Sequence, residues 1–224
     1  GHSGEFKKYG IAVNSLWPRT AIATAALQMI PGVDVNLCRK PEILSDAAWD
    51  DLKGVKIDAF IFGGRRSTTV PLVTEARNWV EGVYMAARMG SETTAAIVGQ
   101  TGVVRRDPFA MLAFMGYNMA DYFQHWLDLG AKLAQAGATL PKIYCVNWFR
   151  KGADGKFVWP GYGDNMRVMK WMLDRIEGKV QGDEHVFGVS PRYEDLNWTG
   201  LNFTQDQFRS VIGIDHAAWQ QEMK

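Results

Sequence analysis

The sequence predicts a mixed α/β domain in which helices flank a mixed β-sheet. Apolar segments typical of strands alternate irregularly with amphipathic helical patterns, rather than repeating as regular strand–helix units. The chain has 224 residues, of which 47% are hydrophobic, so one domain can bury a sizeable core. No internal repeat or low-complexity segment interrupts it.

The sequence of the first 52 residues predicts several short strands and helices. Residues 1–6 (GHSGEF) lack the basic and apolar regions of a signal peptide and are typical of an expression-vector remnant. Residues 7–16 predict a strand, residues 20–30 a helix that ends at a Pro-Gly pair, and residues 33–37 a second strand. Residues 41–52 predict one or two helical turns.

A strongly apolar strand is predicted over residues 56–62, and it runs into a Gly-Gly-Arg-Arg sequence. Residues 72–79, preceded by a proline, predict a helix, and residues 82–87 predict the next strand. Residues 88–102 are small, polar and poorly periodic, which predicts a long surface loop. Such loops are uncommon unless they move or bind something.

The longest helix is predicted over residues 117–136, where large apolar side chains recur every three or four positions. A strand is predicted over residues 142–148, and a helix over residues 166–177 with Asn165 as its N-cap. Two short helices are predicted in the tail, one opened by a Thr-x-x-Gln capping box at position 204 and one by the aspartate at position 215.

An aromatic-rich segment, residues 146–165 (VNWFRKGADGKFVWPGYGDN), overlaps the end of that strand. An apolar run, a charged glycine turn and a second apolar run predict a hairpin. Its aromatic side chains have two interpretations: they form a slot for a flat ring, or they are ordinary core. These side chains are Trp148, Phe149, Phe157, Trp159 and Tyr162.

Two other segments have both a functional and an ordinary interpretation. The glycine pair before Arg65 and Arg66 either lets a ligand approach the backbone beside two guanidiniums, or makes a plain turn with solvated arginines. The 88–102 segment is either a lid or an ordinary connector. The basic pairs at 65–66, 105–106 and 150–151 are each suited to a small anion.

Charge and composition exclude some classes of partner. The net charge of +1 gives no reason to expect nucleic acid or an anionic membrane, and no apolar run approaches the length of a membrane span. Cys38 and Cys145 fit two thiols in a reducing cytoplasm, although a single disulfide fits as well. We expect a cytoplasmic protein. The HExxH, CxxC, GxSxG and GxxxxGK[ST] motifs are absent from the sequence.

Seven segments together resemble the C-terminal part of GTP-dependent phosphoenolpyruvate carboxykinase, in order and in spacing. The resemblance covers residues 48–178 well and the tail to residue 224 more loosely. The segments are IFGGRR (61–66), VPLVTEA (70–76), GSETTAA (90–96), DPFAM (107–111), GYN…YFQHWL (116–127), LPKIYCVNWFR (140–150) and GKFVWPGYGDNMRV (155–168).

The resemblance implies a role for individual residues. Phe149, Phe157 and Tyr162 fall on the aromatics that sandwich guanine, and Asn165 falls on the residue that reads its edge. Tyr162 departs from the phenylalanine usual in the family but keeps the ring. Arg65 falls on an arginine that meets the terminal phosphate of the nucleotide.

The resemblance also places a catalytic lid here, an Ω-shaped loop that closes over the active site. Ser91, Glu92, Thr93 and Thr94 fall on this lid. Gly90 stands where the family usually has an arginine, which is a departure from the pattern that latches the lid.

The N-terminal half of the family has no counterpart in the sequence. That half carries the phosphate-cradling P-loop, the lysine, histidine and aspartate that bind manganese, and the arginine that holds phosphoenolpyruvate. Residues 7–47 are therefore predicted to be a segment outside the family, and residues 48–224 a carboxykinase C-terminal-like domain that forms one compact domain with that segment.

The resulting expectation is recognition of a guanine nucleotide, GTP or GDP, with weak affinity and without carboxykinase activity by the chain alone. Manganese is expected for the family, but its ligands are not found in this sequence. One alternative is a fragment of an active lyase of gluconeogenesis, which converts oxaloacetate and GTP to phosphoenolpyruvate, GDP and carbon dioxide. Another is a structural or interaction protein that reuses the fold. A homo-oligomer or a partner protein would cover the face left by the missing half.

Overall fold

A mixed β-sheet organises the computed structural model of the chain, which describes residues 56–94 and 101–222. Its strands are β1 (Ala59–Gly63), β2 (Val73–Glu75), β3 (Gly90–Glu92), β4 (Val104–Arg106), β5 (Lys142–Val146), β6 (Asp183–His185) and β7 (Gly188–Ser190). The sheet has the order β1-β5-β2-β7-β6, and β3 pairs with β4 in a separate hairpin. Only β1 and β5 run parallel within the described sheet; its other pairs are antiparallel.

Helices cover both faces of this sheet, which confirms the predicted mixed α/β class. They are α1 (Trp79–Ala87), α2 (Met119–Gln135), α3 (Asn165–Ile176), α4 (Gln205–Ile212) and α5 (His216–Glu222). Side chains of β5 alternate between two apolar clusters, as the two-residue period of a strand requires. Ile143 packs with α1 and α2, whereas Tyr144 and Val146 pack with α3 and α4.

Two predicted elements between residues 72 and 87 are wrong. The helix predicted over 72–79 is instead the buried strand β2, and the strand predicted over 82–87 belongs to α1. Residue 74 is a threonine between β5 and β7, where a β-branched side chain fits the ladder better than a helix. The Asn78 side chain accepts a hydrogen bond from the Glu81 amide at 2.9 Å and thereby starts α1. Gly82 lets that helix approach β5, because a Cβ there would lie 2.5 Å from Ile143.

The other predictions that fall on described residues are largely confirmed. The strands predicted over 56–62 and 142–148 correspond to β1 and β5, and the helix predicted over 117–136 to α2. The helix predicted over 166–177 is α3, and the capping box at Thr204 opens α4. The Asp215 side chain accepts a hydrogen bond from the Ala218 amide at 3.0 Å at the start of α5.

A buried carboxylate joins the sheet to α3. Glu75 is 3% exposed and accepts two hydrogen bonds from Arg175, both at 2.9 Å, and one from Lys142 at 2.6 Å. The Tyr144 hydroxyl donates to the same carboxylate at 3.0 Å. Burial by itself raises the pKa of Glu75, but the hydrogen bonds from Arg175 and Lys142 outweigh it and hold that pKa below its ordinary value.

The elements predicted over residues 7–16, 20–30, 33–37 and 41–52 lie outside the described residues, as does Cys38. In the ranges 56–94 and 101–222, no helix is both long enough and apolar enough to cross a membrane.

Candidate functional site

The candidate site begins where two parallel strands end side by side. Gly63 at the end of β1 lies opposite Val146 at the end of β5. The segments that follow both strands therefore leave the same edge of the sheet, which is where open α/β sheets bind ligands. This edge brings Arg65 and Phe149 into contact, although they are far apart in the sequence.

Asn147 ties these two segments together. Its side chain is 1% exposed, and its Nδ2 donates to the carbonyls of Arg66 and Val70, both at 2.9 Å. Its Oδ1 accepts from the amides of Arg66 and Phe149, both at 3.2 Å. A buried amide with these partners holds both backbones in one arrangement. Nothing in the sequence singles out Asn147, because an asparagine after a strand is not a distinctive signal.

The hairpin of β3 and β4 docks onto the loop after β1. The Ser91 hydroxyl accepts a hydrogen bond from the Arg65 amide at 3.0 Å, and the Glu92 amide donates to the Arg65 carbonyl at 2.7 Å. The Glu92 carboxylate accepts from the amide and the hydroxyl of Ser67 at 2.6 and 2.7 Å. The backbone of Arg65, the arginine predicted to contact phosphate, therefore holds the predicted lid residues Ser91 and Glu92 in place.

The start of the predicted 88–102 loop is a strand and not irregular structure. Gly90–Glu92 pairs with Val104–Arg106, with Gly90 opposite Arg106. The close approach depends on Gly64, because a Cβ at that position would lie 2.7 Å from the carbonyl oxygen of Gly90. Glycine at position 64 thus lets the hairpin lie against the end of β1, whereas a Cβ at Gly90 would lie 2.8 Å from Val104 in the partner strand of the hairpin. Residues 95–100 lie outside the described residues.

A cavity of about 400 Å³ lies between these segments. Its lining residues are Gly63, Gly64, Arg65, Ser91, Glu92, Thr93, Thr94, Arg105, Val146, Trp148 and Phe149. Most of the residues predicted for the site, including the phosphate contact and the four lid residues, thus line one cavity. Phe157, Tyr162 and Asn165 are outside this lining.

Arg65 packs over the ring of Phe149, which contacts Phe157 in turn. The Cζ atom of Arg65 lies 4.6 Å from the centroid of the Phe149 ring, which is a cation–π contact. Phe149 in turn meets Phe157 edge to face, with ring centroids 5.8 Å apart and an interplanar angle of 72°. A planar guanidinium held on a ring keeps its N–H donors in a fixed direction, which suits it to an anion.

Arg66 has a different role from its neighbour. It is 4% exposed, and its Nη1 and Nη2 donate to the Glu222 carboxylate at 2.8 and 2.5 Å. The hydrogen bond from Arg66 holds the pKa of Glu222 below its ordinary value. Arg66 therefore anchors α5, which leaves Arg65 as the arginine of the pair that lines the cavity.

The predicted aromatic hairpin divides into core and surface. Lys151 and Phe157 form a single antiparallel bridge, which confirms the hairpin in a minimal form. Trp159 is 1% exposed, whereas Phe157 and Tyr162 are 55% and 70% exposed. The interpretation of these aromatics as ordinary core is therefore right for Trp159 and wrong for the other two. The exposed ring of Phe157, beside Phe149, leaves room for a further flat ring to pack.

Asn165 is not the N-cap of α3, which corrects the sequence prediction. Its backbone is already helical, Asp164 occupies the cap position, and no side chain caps the helix there. The Asn165 Oδ1 instead accepts a hydrogen bond from the Trp159 indole Nε1 at 2.8 Å. A buried indole N–H needs an acceptor, and the Asn165 Oδ1 provides it, so this oxygen is not used to cap the helix.

Two polar or aromatic side chains of the cavity lining, Arg105 and Trp148, have no role assigned to them by the family resemblance. Arg105 lies opposite Ser91 in the β3–β4 hairpin, and its Nη2 lies 3.3 Å from the Asp107 carboxylate. Its membership of a basic pair was the available signal. Trp148 lines the same cavity, and its place in the aromatic-rich segment was the signal for it.

Cys145 is a free cysteine close to the site, at the end of β5. Burial raises the pKa of its thiol to about 11. The thiol is therefore protonated at neutral pH and is not an activated nucleophile.

Comparison with known proteins gives one consistent result. Residues 36–224 match the family model described as the phosphoenolpyruvate carboxykinase C-terminal P-loop domain. The matched range includes every residue of the candidate site. The sequence itself contains no GxxxxGK[ST] motif.

Curated relatives named phosphoenolpyruvate carboxykinase (GTP) are similar to most of this chain. The protein of Anaeromyxobacter sp. (strain K) is 56% identical over 175 residues, which are 78% of this chain and 29% of the relative. The protein of Treponema pallidum (strain Nichols) is 52% identical over 186 residues, or 82% of this chain and 29% of the relative. That of Corynebacterium jeikeium (strain K411) is 47% identical over 176 residues, or 78% and 28%. The chain thus spans less than a third of the length of these relatives.

Proposed function

Because the chain belongs to the family of GTP-dependent phosphoenolpyruvate carboxykinases, of which it covers the C-terminal part, we propose that it binds a guanine nucleotide at the cavity beside Arg65 and Phe149. The base lies against the aromatic side chains, and the phosphates lie toward the arginine and the lid residues.

The contact between Arg65 and Phe149 is the observation that supports this proposal best. It joins a cation suited to phosphate and a ring suited to a base within 4.6 Å of each other. A nucleotide presents the same two chemical groups in sequence, a charged phosphate chain and a flat base.

In the proposed complex, the base stacks between Phe149, Phe157 and Tyr162, and Asn165 contacts its edge. Phe157 and Tyr162 are exposed enough to move their rings onto a base without unpacking the core. Stacking contributes roughly 1–3 kcal/mol per base. This contribution alone gives weak binding.

The phosphates are contacted by Arg65 and by Arg105, which line the same cavity. Hydrogen-bond donors on Ser91 and Thr93 lie in the same lining. The family implies a divalent metal as well, but among residues 56–94 and 101–222 no group of three or more His, Cys, Asp or Glu side chains could hold one. Manganese thus does not fit the described residues, and binding in this proposal involves no metal.

We further propose that the chain by itself does not catalyse the carboxykinase reaction. Phosphoryl transfer depends on a phosphate cradle and metal ions that neutralise developing charge. The described residues supply one edge of such a site, with arginines but without a GxxxxGK[ST] loop.

Titration with GTP and with ATP, followed by tryptophan fluorescence, tests the proposal. Trp148 lines the cavity and Trp159 donates to Asn165, so both emit from positions beside the bound base. We expect a saturable change with GTP at lower concentration than with ATP, and weaker binding of guanosine, which lacks phosphates. No response, or an equal response to GTP and ATP, would contradict the proposal and favour a protein that keeps the fold only for structure or interaction.

A second proposal is that the chain acts as part of a complete carboxykinase. It is supported by the relatives named phosphoenolpyruvate carboxykinase (GTP), of which the chain covers 29%. The chain is incubated with manganese, GTP and oxaloacetate, with and without an added N-terminal part of a relative, and phosphoenolpyruvate is assayed. Turnover only in the mixture supports this proposal, and turnover in neither sample contradicts it.

A further inference from the structure

One buried tryptophan contacts the residue proposed to read the base. Trp159 is 1% exposed, and its Nε1 donates to the Asn165 Oδ1 at 2.8 Å. Asn165 is half-buried at the first turn of α3, three residues after the exposed Tyr162. The indole thus contacts Asn165 from the core side.

The chemistry of the indole fixes which way the amide of Asn165 points. The two ends of an asparagine amide look alike, and their orientation is normally assigned from partners. An indole nitrogen can only donate, so the group that faces Trp159 must be the amide oxygen. The Asn165 NH₂ group must then point away from Trp159.

The tryptophan itself has little freedom to move. Its ring packs edge to face against Phe203, with centroids 5.4 Å apart, and against Trp198, with centroids 6.4 Å apart. A reversed Asn165 amide would place two donors face to face and leave a buried N–H without an acceptor, which is costly. One amide orientation is therefore strongly preferred.

We propose that Trp159 is a positioning residue that makes Asn165 present a hydrogen-bond donor to the base and thereby favours guanine over adenine. This inference rests on the proposed binding of a guanine nucleotide. Guanine carries the acceptor O6 at the position where adenine carries the N6 amino donor. A fixed NH₂ group pairs with O6, whereas against the adenine amino group it meets another donor.

The first test compares two matched variants, Trp159→Phe and Trp198→Phe. Both remove one indole from the same aromatic cluster, but the Trp198 Nε1 donates to the carbonyl of Tyr193 and not to Asn165. Affinities for GTP and ATP are measured by calorimetry with each full-length chain. The ratio of the two affinities is the readout, because general loss of stability affects both nucleotides alike.

We expect Trp159→Phe to lower the GTP-to-ATP affinity ratio roughly 3- to 10-fold, the worth of one hydrogen bond. Trp198→Phe should leave the ratio unchanged. Without the indole, the Asn165 amide can turn its oxygen outward and accept from the adenine amino group. A purely structural role for Trp159 would instead give the two variants the same ratio.

A second variant, Asn165→Asp, tests the inference without touching the core. The aspartate still accepts from Trp159, but its outward oxygen is an acceptor and not a donor. A negative charge in the first turn of α3 is compatible with the helix dipole, so the variant should fold. GTP and ATP carry the same phosphate charge, and repulsion by the new carboxylate therefore cancels in the ratio. We expect this ratio to fall below that of the Trp159→Phe variant.

The outcomes separate the inference from the proposed function. If the unmodified chain shows no preference for GTP, the proposed function fails and the inference fails with it. If the unmodified chain prefers GTP and Trp159→Phe keeps that preference, the inference is overturned, whatever the ratio in Asn165→Asp, while the proposed function stands. A lower ratio in Trp198→Phe equal to that in Trp159→Phe also overturns it.

Discussion

Replacing Phe149 by leucine should weaken GTP binding much more than it weakens the fold. Phe149 is half-buried and contacts both Arg65 and Phe157. Leucine keeps most of the apolar volume but removes the ring. Loss of base stacking costs roughly 1–3 kcal/mol, which corresponds to about 5- to 150-fold in affinity. Loss of the cation–π contact costs about 0.5–1 kcal/mol of stability.

The matched control is Phe187→Leu. Phe187 is also half-buried and packs against Trp219, with centroids 4.5 Å apart, but it does not line the 400 Å³ cavity. Calorimetric titration with GTP and urea unfolding are carried out on both variants. We expect similar small losses of stability and a loss of GTP affinity in Phe149→Leu alone. Equal GTP affinity in the two variants would refute the assignment of Phe149 to the base.

Two further predictions concern the fold that carries the site. Glu75→Gln should lower the free energy of unfolding by about 1.5–3 kcal/mol, because it removes the charged acceptor of the half-buried Arg175. Glu184→Gln breaks an ion pair whose glutamate side chain is 68% exposed, and it should cost less than about 1 kcal/mol. Since the pKa of Glu75 is held low in the fold, the stability it contributes is present above an unfolded pKa of about 4.3 and is lost as pH falls below it. Burial, followed by the charge of Arg77, lowers the pKa of His185 in the fold. The free energy of unfolding should therefore decrease as pH falls below the unfolded pKa of about 6.5, because the unfolded chain then binds a proton that the folded chain does not. His185→Gln should remove the share of this decrease that comes from His185, as measured by urea unfolding at several pH values.

Local sequence patterns were sufficient where they were long or chemically specific. The helix α2 follows from its apolar spacing, and β1 and β5 follow from continuous apolar runs that end in glycine or polar residues. The capping box at Thr204 was sufficient to place the start of α4. Most of the residues predicted for the site could be identified only because several motifs occur together in the sequence. Each of these motifs alone has an ordinary structural interpretation.

Tertiary contacts decided the elements that the sequence did not predict. Val73–Glu75 is a strand because β5 and β7 flank it and Arg175 neutralises its glutamate, neither of which is visible locally. Asn165 is a residue type typical of an N-cap, but its side-chain oxygen accepts a hydrogen bond from the buried indole of Trp159 instead. Asn147 was missed because its importance lies in hydrogen bonds to distant backbone groups.

Photo-crosslinking tests most directly whether guanine binds beside Phe149 and the exposed Phe157. The full chain is irradiated with 8-azido-GTP, and labelled peptides are identified by mass spectrometry, with excess GTP or ATP as competitor. We predict labelling within residues 148–165 that GTP suppresses more effectively than ATP. Labelling confined to other peptides, or labelling that GTP does not suppress, would contradict it.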